Sequence, residues 1–149
     1  MDLEKEIFST KFVNNYQKAS VNIVFTYNWL NNFIKSELDK YEITNQQFNV
    51  LRILRGQNPN PATINILKER MLDKMSDASR IVDRLVQKEL VTRTTNRKDR
   101  RAVDILISKK GLDILDRIQM ESIMIENLKN NLSEEEAKQL SDLLDKFRG

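Results

Sequence analysis

The 149-residue chain contains no cysteine and no histidine. Without cysteine there is no disulfide framework, no thiolate metal site and no thiol redox switch. Without histidine the commonest general base and the commonest metal ligand are gone. Asp and Glu leave carboxylate catalysis and hard-cation binding formally open. The three glycines form no phosphate-cradling loop, so an enzyme is the least favoured class. No run of apolar residues exceeds three, which gives no membrane-spanning helix. The opening "MDLEKEIF" is too acidic for a secretory signal. The expectation is a cytoplasmic protein with no catalytic residues, no metal, no cofactor and no membrane partner.

With only three Gly and two Pro, most of the chain is free to be helical. Its net charge of +3 is unevenly spread: residues 68–110 hold 13 Lys/Arg against 7 Asp/Glu, and the rest 12 against 15. A basic middle between acidic ends suits an anionic partner for the middle.

From about residue 3 to 40, Phe12, Tyr16, Ala19, Ile23, Tyr27, Leu30 and Ile34 recur at three- and four-residue steps. This predicts one long amphipathic helix. Thr44 with Gln47 has capping-box spacing and opens the next helix, which Gly56 is placed to end. "NPNP" reads as a loop. Thr63 caps a short helix carrying Ile64, Leu67 and Met71. After a turn at Asp73 and Lys74, Ser76 is expected to cap a helix to about Lys88. Its inner face is Ala78, Ile81, Val82, Leu85 and Val86, and its outer face carries Asp77, Ser79, Arg80, Asp83, Arg84 and Gln87. "LVTRTT" and "AVDILIS" then alternate with strand period. Ser108 is placed to cap a long helix to about Asn130, and Ser133 with Glu136 boxes a last one.

Two short helices with a tight polar turn, followed at once by a hairpin, make a winged helix-turn-helix. The fold class is therefore mainly α with a small β-hairpin wing. The outer face of the second helix suits a DNA major groove. Arg80 and Arg84 lie one turn apart there and suit guanine, while Ser76 and Ser79 reach bases or phosphates. Asp77 either accepts from cytosine or repels phosphate. The bland alternative is a solvated face on which Asp77 or Asp83 pairs with these arginines. The wing weighs against it: Arg97, Lys98, Arg100 and Arg101 surround one acid, Asp99. Such a tip carries a like-charge cost unless an anion, such as a minor groove, meets it.

The stretch from Leu72 to Leu115 strongly resembles MarR-family transcriptional regulators. Ser76, Ser79, Arg80, Val82, Asp83 and Leu85 match the family's recognition helix. Asp99 and Arg101 match its wing, and Ser108, Lys110 and Gly111 the helix start beyond. "ITNQQFNVL" is similar to an earlier helix start of the family. The resemblance implies a homodimer with interlocked terminal helices (1–42 and 109–149) and a DNA-binding winged helix-turn-helix (43–108). It implies binding to a pseudo-palindromic operator in double-stranded DNA, repression, and release by a small, often aromatic ligand. It also implies that Arg101 enters the minor groove and that Asp99 holds the wing. Where the family has Gly after the recognition helix, this chain has Glu89. Either the helix ends differently or it carries strain.

Hydrophobic stripes at both chain ends exceed what a winged domain of about 70 residues covers, which independently favours a dimer. Tyr16, Tyr27 and Trp29 are candidate pocket aromatics, with plain core the favoured reading. The competing function is a winged-helix protein–protein interaction module that holds an acidic partner.

Overall fold

The computed structural model describes residues 2–8, 11–96 and 102–149. The expected first helix is two. A single turn, α1 (Leu3–Glu6), is followed by a break and then α2 (Asn15–Asp39). The break has a local cause. Asn14 caps α2 by accepting from the Gln17 N–H at 2.9 Å, and Gln17 Oε1 accepts from the Val13 N–H at 2.7 Å. This closes the helix end from both sides.

Helix α3 (Asn45–Gln57) opens with the predicted capping box of Thr44 and Gln47. It does not stop at Gly56. Asn58, immediately before Pro59, is the C-cap, as the steric restriction on a pre-proline residue favours. Thr63 caps α4 (Ile64–Arg70) as expected. Ser76 does not cap α5 (Ala78–Gln87): Asp77 does, accepting from the Arg80 N–H at 3.1 Å. The Ser76 hydroxyl instead donates to Asp73 at 2.6 Å and closes the turn between the two helices.

Strands β1 (Val91–Thr95) and β2 (Val103–Ile107) pair antiparallel, with Val91 opposite Ile107, Arg93 opposite Ile105 and Thr95 opposite Val103. Val91, Arg93 and Thr95 thus share one face with Val103, Ile105 and Ile107, in keeping with the strand-period alternation. The chain leaving the "NPNP" loop does more than connect. Ala62, just beyond it, exchanges two backbone hydrogen bonds of 2.9 Å with Ile105, adding a bridge to the far edge of β2.

Ser108 caps α6 (Lys109–Arg117). The long helix expected from it to Asn130 is broken at Ile118, and α7 (Met120–Lys129) starts afresh. The kink lets Ile118 pack against the core and buries Met120. The Arg117 carbonyl, freed at the break, accepts from the Tyr41 hydroxyl at 2.8 Å. The last helix, α8 (Glu134–Arg148), has its predicted capping box of Ser133 and Glu136 and no buried residue.

The core is centred on the winged unit and is completed from the elements on either side of it. Phe48, Val50, Leu51 and Leu54 of α3 meet Leu67, Val82, Leu85, Ile105 and Ile114, with Leu38 from the end of α2. The rest of α2, and α7 and α8, present apolar side chains outward.

Candidate nucleic-acid interface

The sequence places the outer face of α5 next to the wing, and the packing fixes it there. Ala78, Val82 and Leu85 are buried, so the 100° helical step turns Arg80, Asp83, Arg84 and Gln87 outward. Ser76 and Ser79 are half-buried at the start of this face. Val86, expected inside, is exposed instead. Asp77 is exposed, and its carboxylate is committed to the Arg80 N–H. Asp83 is bonded to Arg93 Nη1 of β1 at 2.6 Å. Neither acid is ion-paired with the helix's arginines. No acidic group among the described residues forms an ion pair with Arg80 or Arg84. The solvated-face reading loses the partners it invoked, and two cations remain side by side on one exposed face.

These arginines border a concavity of about 240 Å³, lined also by Thr44, Gln46, Gln47, Ser76, Asp77 and Ile81. Thr44 and Gln46 come from the start of α3. Sequence reasoning assigned Thr44 only to a capping box with Gln47 and gave Gln46 no role, because nothing local shows that α3 begins beside α5. Arg93 was also missed as an interacting group. Its signal was present: it shares the Val91 face of β1, where the alternation otherwise places mostly apolar residues of the hairpin, and a cation there calls for an anion.

The end of α5 resolves the question at Glu89. Its φ of 61° is left-handed. The Glu89 N–H donates to the Val86 carbonyl at 2.9 Å and the Leu90 N–H to the Leu85 carbonyl at 3.0 Å. That bond pair is the Schellman ending, in a position that favours glycine. The helix thus ends as a glycine-terminated helix would, and the non-glycine residue carries strain. Its carboxylate meets Lys110 at 2.9 Å, which holds its pKa below the ordinary value. The Ser108 hydroxyl donates to the Glu89 carbonyl at 2.7 Å, and the Lys88 ammonium to the Glu42 carbonyl. These contacts tie the end of α5 to α6 and to the chain entering α3.

The base of the wing is closed by Asn96, whose N–H donates to the Ala102 carbonyl at 3.0 Å and whose amide donates to Asp104 at 2.8 Å. Arg97, Lys98, Asp99, Arg100 and Arg101 lie outside the described residues.

Of the three aromatics, none is core: Tyr16 is 85%, Tyr27 63% and Trp29 43% exposed. Within the single chain the favoured core reading is not met at any of the three. Tyr27 lines a cavity of about 400 Å³ between α2 and the helix-turn-helix, with Leu30, Ile34, Asn49, Met71 and Leu72. Tyr16 and Trp29 do not line it. No helix among the described residues is long and apolar enough to cross a membrane.

Residues 43–103 match the MarR family model. The chain is 27% identical over 119 residues to the HTH-type transcriptional regulator MhqR of Bacillus subtilis (strain 168), covering 79% of this chain and 81% of that protein. Among solved structures it resembles a cysteine-to-serine mutant of MarR from E. coli complexed with operator DNA. That match has a TM-score of 0.77 and 26% identity, and covers 99% of each chain. It also resembles the organohalide-sensing RdhR-CbdbA1625 transcriptional regulator in its 2,4-dichlorophenol-bound form. There the TM-score is 0.81 at 21% identity, with 91% of this chain and 80% of that one covered.

Proposed function

We propose that the chain is a MarR-family DNA-binding transcriptional regulator, as the match of residues 43–103 to that family model supports, and that it is a homodimeric, sequence-specific repressor whose α5 helices read a pseudo-palindromic operator. The observation that carries this is the pair Arg80 and Arg84, adjacent and without acidic partners among the described residues, beside a hairpin wing. Two such arginines suit bidentate pairing with guanine in a major groove. Ser76 and Ser79 add short polar contacts. Asp77 acts by capping the helix rather than by reading cytosine. Arg97, Lys98 and Arg100 meet phosphates, while Arg101 enters the minor groove with Asp99 as its brace.

The dimer uses residues 1–42 and 109–149, and residues 43–108 form the DNA-binding unit. The outward apolar residues support this division. Val13 just before α2, Tyr16 and Val24 on α2, Ile125 and Leu128 on α7, and Leu140, Leu143 and Phe147 on α8 are all exposed in the single chain. Apolar surface on that scale marks an interface. Two-fold symmetry then spaces the recognition helices by about one DNA turn, roughly 34 Å.

The cavity beside Tyr27 supports a small, often aromatic effector as the releasing signal. It lies between α2 and the helix-turn-helix, where occupation alters their relative position. A structurally similar regulator holds 2,4-dichlorophenol.

Selection of bound duplexes from a random pool tests the reading. A palindromic site with guanine in each half is expected. Arg84→Ala should weaken binding and relax preference at one base pair in each half-site, a cost of about 1–3 kcal/mol. Arg101→Ala should weaken it and reduce the salt slope by about one. Enrichment of no palindrome would instead favour the protein-interaction module.

A further inference from the structure

The ion pair between Asp83 and Arg93 joins the middle of α5 to the middle of β1. Arg93 Nη1 lies 2.6 Å from Asp83 Oδ1, and the two side chains are 41% and 55% exposed. Exposed pairs of this kind add little to stability. The consequence lies in where the pair leaves charge. Asp83 directly precedes Arg84 and lies three residues after Arg80 on the outward face of α5. Uncompensated there, it repels any phosphate that Arg80 and Arg84 approach. Arg93, set on the Val91 face of β1 by the strand alternation, would if free be a cation beside the same groove. A free cation of that kind binds phosphate whatever the sequence.

We propose that Asp83 and Arg93 are a specificity-determining pair: Asp83 withholds Arg93 from the DNA backbone, lowering affinity for bulk DNA relative to the operator, and the same bond holds β1 against α5. This rests on the DNA-binding reading. Its logic is electrostatic. Non-specific binding is almost entirely counterion release by cations on phosphates, so each withheld cation weakens it. Operator binding also draws on base contacts from Arg80 and Arg84, which the pair leaves untouched. Those base contacts fix one register on the operator, so a freed Arg93 gains less there than on random DNA, where the protein samples every register, and withholding it raises the ratio of the two affinities. Asp83 and Arg93 are positioning residues here, since neither needs to touch a base.

The experiment compares full-length wild type, Asp83→Asn, Arg93→Gln and Arg93→Lys. Each is titrated on the selected operator and on a random duplex of equal length, at several salt concentrations, with a thermal midpoint recorded for each protein. Asp83→Asn releases Arg93. It should bind random DNA several-fold more tightly, with a salt slope steeper by about one, and lose operator preference. Arg93→Gln bares Asp83 and should bind random DNA more weakly. Arg93→Lys keeps the charge pair and should retain the wild-type ratio. A purely structural clamp moves the first two variants in the same direction. If both weaken random-DNA binding, or if Asp83→Asn leaves slope and ratio unchanged, the inference is overturned. A wild-type protein that binds neither duplex refutes the DNA-binding reading itself, and this inference with it.

Discussion

Replacing Gly111 with alanine sets two effects of opposite sign against each other. Gly111 is in the first turn of α6. Helix propensity alone favours alanine there by about 1 kcal/mol. The packing says otherwise. A Cβ at this position would lie 2.3 Å from the Leu90 carbonyl oxygen and 2.8 Å from Ile107 Cγ1. The isoleucine carbon can turn aside. The carbonyl cannot, because it belongs to the residue that completes the Schellman ending of α5, and it already accepts from the Ser108 N–H at 3.0 Å. Relieving the clash means moving α6 away from the junction of α5 and β1. Overpacking typically costs 1–3 kcal/mol, and a backbone partner puts this case near about 3. The net expectation is destabilisation by about 2 kcal/mol once the propensity gain is subtracted. Urea unfolding at fixed protein concentration measures it, since a dimer's midpoint depends on concentration. A lower midpoint with unchanged slope is expected. A midpoint equal to or above wild type refutes the claim that close approach to Leu90, rather than helix formation, requires glycine at 111.

Glu89→Gly removes the left-handed strain at the end of α5 at the expense of an exposed ion pair with Lys110, so the thermal midpoint should rise; a fall would mean that the Lys110 contact outweighs the backbone. Asp73, Glu89 and Glu136 each have a pKa held below the ordinary value: Asp73 by the Ser76 hydroxyl, Glu89 by Lys110 and Glu136 by the Ser133 N–H. A depressed folded-state pKa gives stability that is present above the ordinary carboxylate range and is lost as pH falls through the folded value. Unfolding midpoints should therefore decline in acid, and Asp73→Asn should flatten part of that decline; an unchanged profile in the variant would show that the turn bonds leave the equilibrium unmoved. Leu143→Glu on α8 places a charge on an apolar face that this chain does not cover, and should shift sedimentation from dimer to monomer while weakening operator binding. A persistent dimer would place the interface elsewhere.

Much of the fold was legible because local chemistry and packing agree. The capping boxes at Thr44 and Ser133, the cap at Ser108 and the hairpin alternation are short-range devices, each readable within four residues. Where two local candidates competed, the choice was less accessible. Ser76 and Asp77 are both good caps, and the packing of Ala78 decides for Asp77 by setting where the helix starts. The breaks at Asn14 and Ile118 were missed for different reasons. The first is a side-chain closure that an unbroken apolar stripe conceals. The second exists because Met120 finds a place in the core that a straight helix would deny it.

For the interface, the sequence by itself determined the inventory and the order of elements: a helix-turn-helix, a basic wing and outward arginines, because periodicity and charge are properties of the chain. Only the tertiary structure decided which charges remain available. Asp77 and Asp83 flank Arg80 in sequence and appear able to cancel it, yet one is consumed by a helix N-terminus and the other by a strand ten residues away. The same holds at Glu89, where a residue poorly suited to a left-handed turn is kept there because Leu85, Leu90 and Ser108 must all be served at once. Periodicity records which face a side chain occupies. Its partner depends on which other faces arrive beside it, and that is settled only when the core closes.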